Sequence, residues 1–260
     1  MSAGQLEICL RAARDRGSKL LVPYVTGGLT DEWLDAVRAA VDAGADAVEV
    51  GVPFSDPVMD GPTIQLASDL ALGAGATPVS ILDQLRGEDI GAPLAAMSYY
   101  NIAYRMGHER FAATLVASGV AGAILPDLPL EEAGPWAHVA DAAGVETVLL
   151  AAPTASDERL GAICERARGF VYGVGLLGVT GVRAELAASA VGIAGRLKAL
   201  TDVPVLVGVG VGTPQQAVEV ASVADGVVVG SAVVQQLLDG GGPAAVGALV
   251  GTFRAALDAG

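Results

Sequence analysis

Lysine and histidine are nearly missing from this chain. Its 260 residues include only two lysines, Lys19 and Lys198, and two histidines, His108 and His138. Lys19 stands at the entrance of an apolar run and Lys198 within a helical pattern. Neither lies at a strand C-terminus, where a Schiff-base aldolase on a barrel presents its amine. The histidines fall beside or within helices without a partner at ligand spacing, which argues for two surface residues and against a His-bound catalytic metal. Gly-x-Ser-x-Gly is absent, and no Ser-His pairing is suggested. Cysteine is as scarce. Cys9 and Cys164 fall in predicted helices without metal or redox spacing, and read as inert thiols of a cytoplasmic protein.

Positive charge and aromatic rings are also in short supply. Fifteen Lys and Arg face 29 Asp and Glu, a net charge of −14 that argues against nucleic acid or an anionic membrane as partner. An anionic substrate would have to be held locally, by backbone N–H groups and a helix N-terminus. Aromatics make up 4% of the chain, so a core drawn from 52% hydrophobic residues is built of Ala, Val and Leu. Glu7 and interspersed arginines occupy the N-terminus where a secretory signal needs an unbroken apolar core. The longest uncharged runs contain glycine and fall short of the roughly 20 apolar residues of a membrane span.

What the chain does have is an alternation repeated eight times: apolar run, glycine-rich break, helix, short turn. The strands are predicted near Leu20–Tyr24, Ala47–Val50, Leu94–Tyr99, Gly122–Leu125, Thr147–Ala151, Phe170–Val174, Val205–Gly208 and Gly226–Val229. Predicted helices include Gln5–Arg16 ahead of the first strand, Asp31–Ala43 with Thr30 as its N-cap, and Val191–Leu200. Near-continuous Val/Ile/Leu strands between helices indicate a parallel sheet covered on its outer face. Eight such units in about 250 residues indicate an α/β fold of the (β/α)₈ TIM-barrel type, with an extra N-terminal helix. No linker divides the chain, so residues 1–260 read as a single barrel domain.

Two breaks are long. Gly51 to about Thr63 follows the second strand and carries Asp56 and Asp60; the strand itself contains Glu49 where an apolar side chain is expected. Gly175 to about Ala190 follows the sixth strand and is glycine-rich, as a mobile lid would be. Carboxylates at a strand end and in the adjoining loop are how a barrel displays chemistry at its C-terminal rim. The competing reading makes Glu49 a salt-bridged buried acid and the two aspartates turn caps. Gly208-Val209-Gly210 and Gly230-Ser231 follow the seventh and eighth strands, where phosphate-binding barrels hold their anion. With imine, metal and serine chemistry set aside, carboxylate acid–base work by Glu49 and Asp60 remains, with Tyr99 as a third candidate.

The run Glu49-Val50-Gly51-Val52-Pro53-Phe54-Ser55-Asp56-Pro57, then Asp60-Gly61-Pro62, resembles the signature of the tryptophan synthase α subunit. Similarity continues in Pro23-Tyr24-Val25-Thr26, Tyr99-Tyr100-Asn101, Pro126-Asp127-Leu128-Pro129, Ala152-Pro153-Thr154, Gly178-Val179-Thr180-Gly181 and Gly230-Ser231, in the family's order. The resemblance implies retro-aldol cleavage of indole-3-glycerol phosphate to indole and glyceraldehyde 3-phosphate without a cofactor. It implies Glu49 as the acid–base residue and Asp60 as acceptor of the indole N–H. Thr180 and Gly181 match the lid, Gly181, Gly210, Gly230 and Ser231 the phosphate site, and Tyr99 and Tyr172 the indole pocket. The implied partner is a pyridoxal-phosphate β subunit in an α₂β₂ assembly. A stand-alone indole-releasing lyase would share all these residues, and a weakly catalytic regulatory subunit of β is the other alternative.

Overall fold

The computed structural model describes residues 3–175, 183–208 and 210–260. The elements run α1 (Gln5–Asp15), β1 (Leu20–Thr26), α2 (Trp33–Asp42), β2 (Val48–Gly51), α3 (Pro62–Gly73), α4 (Pro78–Gln84), β3 (Leu94–Met97), α5 (Tyr100–Met106), α6 (His108–Ala117) and β4 (Val120–Ile124). They continue α7 (Gly134–Ala143), β5 (Glu146–Ala151), α8 (Asp157–Arg166), β6 (Val171–Val174), α9 (Arg183–Lys198), β7 (Val205–Gly208), α10 (Pro214–Ala221), β8 (Gly226–Val229), α11 (Ser231–Leu238) and α12 (Gly242–Ala259). Each strand pairs in parallel with the next, and β1 pairs with β8, closing the barrel. That closure is tight. A Cβ on Gly226 would lie 2.1 Å from the Leu20 carbonyl oxygen, so only glycine lets β8 approach β1.

The strands are buried almost throughout because helices cover their outer faces and the barrel interior covers the inner ones. Outward-facing Val25, Val50, Val207 and Val227 belong to the main helix–sheet core, whereas Leu20, Val22, Ala47, Ala95 and Leu206 form an inner core. Helix α1 joins that inner core. Its Leu6, Leu10 and Ala13 recur at helical spacing and are fully buried among the inner residues at the barrel's base. Leu6 fits where Gly122 and Gly169 lack side chains, its Cδ2 lying 2.9 Å from a Cβ built on either. Gly4 offers α1 no side-chain cap. Instead the Glu146 carboxylate, at the start of β5, accepts hydrogen bonds from the N–H groups of Leu6 (2.7 Å) and Glu7 (2.9 Å). Helix-dipole and hydrogen-bond logic make a carboxylate the suitable group there.

Several expected boundaries move. β3 ends at Met97, and Tyr99 is the extended N-cap residue of α5 rather than a strand residue. The α2 N-cap is Glu32, not Thr30. Helix α9 begins at Arg183, well before the expected end of the glycine-rich loop near Ala190. Glu185-Leu186-Ala187-Ala188 are strong helix formers, and the glycines upstream drew the loop too far. His108 is half-buried against Tyr100 and Trp136 rather than on the surface, whereas His138 is exposed. Among the described residues, no helix is long and apolar enough to cross a membrane.

Candidate active site

The C-terminal rim of the barrel opens into a cavity of about 670 Å³. Its walls are mainly apolar, with Ile64, Met97, Ile124, Leu150, Val174 and Val228 among them. Glu49 enters from β2, whose alternation points it inward between outward-facing Val48 and Val50. Only 1% of Glu49 is exposed, and its Oε2 has no hydrogen-bond partner. Burial, and then the nearby charge of Asp60, push its pKa up to about 8. Among the described residues no cation bridges it, which goes against the reading of Glu49 as a salt-bridged structural acid.

Asp60 closes the loop that follows β2, one residue before the N-terminal glycine cap of α3, and lines the same cavity. Burial pushes its pKa up to about 6, against an opposing hydrogen bond from Tyr99. That phenol clamps the loop. It donates to Asp60 Oδ2 at 3.1 Å and accepts from the Met59 N–H at 2.9 Å, while its ring stacks on Phe54 at 5.0 Å. Tyr99 was expected to line the pocket; it is instead the post to which the acidic loop is tied, and the cavity wall does not include it. Tyr99→Phe should therefore lower kcat/KM by about tenfold and move the acidic limb of the pH–rate profile upward, since Asp60 loses a donor to its charged form. An unchanged profile would deny the clamp.

Tyr172, from β6, does line the cavity. Burial holds its phenol well above the ordinary value, and the charges of Glu49 and Asp60 act in the same direction. In the same cavity, Gly210 and Gly212 follow β7, and Gly230 and Ser231 open α11. Gly210, which lines the cavity, has φ +91°, a conformation open to glycine. The Gly230 carbonyl accepts from the Val233 and Val234 N–H groups, so the N–H groups of Ser231 and Ala232, ahead of them at the helix start, are the ones suited to an anion. Thr180 and Gly181 lie outside the described residues, as does Val209. Tyr24, Gly212 and most of the apolar wall were not singled out from the sequence; inward alternation along each strand was the signal that could have found them. Among the described residues, no group of three or more His, Cys, Asp or Glu could hold a metal ion.

Comparison with known proteins fits this geometry. The family profile described as "Tryptophan synthase alpha chain" matches residues 10–246. The chain belongs to the tryptophan synthase alpha chain family. A curated family member from Streptomyces coelicolor is 47% identical over 234 residues, 88% of this chain and 86% of that protein. The structure of Mycobacterium tuberculosis tryptophan synthase superposes with a TM-score of 0.90 at 38% identity, covering 98% of this chain and 99% of that one. Tryptophan synthase subunit alpha from Legionella pneumophila gives a TM-score of 0.86 at 32% identity, covering 99% and 100%.

Proposed function

We propose that this chain, acting as one barrel domain over residues 1–260, cleaves indole-3-glycerol phosphate to indole and glyceraldehyde 3-phosphate and passes the indole to a β subunit. The observation that carries the mechanism is the buried Glu49, its Oε2 without a hydrogen-bond partner, sharing an apolar cavity with Asp60. Protonated Glu49 gives its proton to carbon 3 of the indole ring. The resulting positive charge spreads to the ring nitrogen, whose N–H donates to the Asp60 carboxylate. Glu49, now charged, takes the proton of the hydroxyl next to the ring. The O–H electrons form the aldehyde C=O, and the electrons of the breaking C–C bond return to the ring. Indole and the aldehyde part, and Glu49 is protonated as it began. The ring accepts the electrons itself, so the step calls for neither imine nor metal.

Gly210, Gly230 and Ser231 hold the phosphate through backbone N–H groups, which explains how a chain of net charge −14 accommodates an anion. Thr180 and Gly181 complete this site as a lid, and Tyr172 and the apolar wall hold the ring. A cytoplasmic location suits the free thiols Cys9 and Cys164. The test is indole release from indole-3-glycerol phosphate by the purified chain, with and without β. Weak activity that rises strongly with β supports the reading. Strong activity indifferent to β points to a stand-alone lyase, and no activity in either case sinks the enzyme assignment.

A further inference from the structure

The proposed substrate is long: an indole ring, two hydroxyl-bearing carbons, and a phosphate-bearing carbon. Three adjacent strands face it. β8 runs into the Gly230–Ser231 phosphate loop, β2 carries Glu49, and β1 lies between them. The registers Pro23↔Val229 and Tyr24↔Glu49 place Tyr24 at the crossing point. A substrate anchored by its phosphate beyond β8, with its breaking bond at Glu49, passes over β1, and Tyr24 is the β1 residue lining the cavity. Its Cβ lies 3.8 Å from a Cβ built on Gly230, on the phosphate side. Its phenol reaches the other way, toward β2. A Cβ on Gly51 would fall 1.8 Å from the phenol oxygen and 2.3 Å from Cζ, so Gly51 provides the niche in which the phenol is fixed. The ring packs in one cluster with Ile64, Ala67 and Val234, which leaves it little freedom to swing.

Resting on the reaction proposed above, we propose that the Tyr24 hydroxyl is a substrate-binding group, donating a hydrogen bond to the glyceryl hydroxyl on the carbon between the reacting carbon and the phosphate-bearing carbon. Glu49 Oε2, buried nearby, does not take its proton. Burial outweighs an opposing hydrogen bond with Thr26 and, with the charges of Asp60 and Glu49, holds the phenol well above its ordinary pKa, so it remains a neutral donor. Phenylalanine here would keep the ring contacts and lose only the donor.

The experiment compares wild type with Tyr24→Phe using two probes. One is indole-3-glycerol phosphate, read as kcat/KM for indole release. The other is 3-(indol-3-yl)propyl phosphate, which has ring, chain and phosphate but no hydroxyls, read as Kd. The expected result is a fall of about tenfold in kcat/KM with the Kd of the hydroxyl-free phosphate unchanged within about twofold. An equal loss on both probes would overturn the proposal by making Tyr24 a structural contact. No loss on either, with wild type active, would overturn it alone. An inactive wild type would overturn the reaction reading and this inference with it.

Discussion

Glu49→Gln should lower indole release by about 10³-fold or more, near the top of the range for general acid–base catalysis, because in the proposed mechanism one side chain moves both protons. The same substitution should stabilise the fold in alkali. Unfolded, Glu49 titrates near its ordinary 4.5; folded, near 8. Between those values the native state keeps a proton that the unfolded chain has released, so stability declines as pH rises, and the loss is complete above about 8. Glutamine has no such proton to lose. At pH 9 the variant should gain on the order of a few kcal/mol, or several degrees in Tm, over wild type. At pH 4 the difference should vanish. Thermal melts at the two pH values read this directly. A variant that is inactive and also less stable at pH 9 would mean that Glu49 holds the barrel together rather than running its chemistry.

Asp60→Asn should lower kcat/KM by about 10²-fold, the scale for removing one group aimed at developing charge. Wild type should show a bell-shaped kcat/KM profile. Its acidic limb falls near 6, where the ring loses a charged Asp60, and its alkaline limb near 8, where Glu49 loses its proton. The two apparent values belong to the pair. Asparagine removes the acidic limb. It also takes away a negative charge that helps raise the Glu49 pKa, so the alkaline limb should shift to lower pH. A residual acidic limb near 6 in the variant would assign that titration to some other group.

The barrel was legible because most strands are Val- or Leu-rich runs followed closely by glycine or proline; β7 and β8 fall on their predicted bounds. Glu49 stood out as a charge within such a run, and Asp60 through its loop and family signature. What escaped was three-dimensional. Tyr99 follows Met97 and Ser98 in an apolar stretch, so period-two alternation continued β3 through it. The structure turns the chain there and spends the phenol on Asp60, a partner 39 residues earlier. Tyr24 was hidden for a different reason: an aromatic in a buried strand reads as core until the neighbouring strand shows glycine beside it. Glu146, 140 residues from the helix it caps, offered no local pattern at all.

The plug formed by α1 makes the barrel, among the described residues, a flask closed at its base. Leu6 and Leu10 pack into the inner core there, so on the proposed reaction substrate enters and both fragments depart at the rim, where the cavity opens. One fragment is a charged sugar phosphate that water readily solvates, and the other is an oily ring. A partner seated over the neck would intercept the ring merely by standing in its route, without having to compete for it in bulk solution. Efficient transfer then depends on how well that junction is sealed more than on any affinity for free indole.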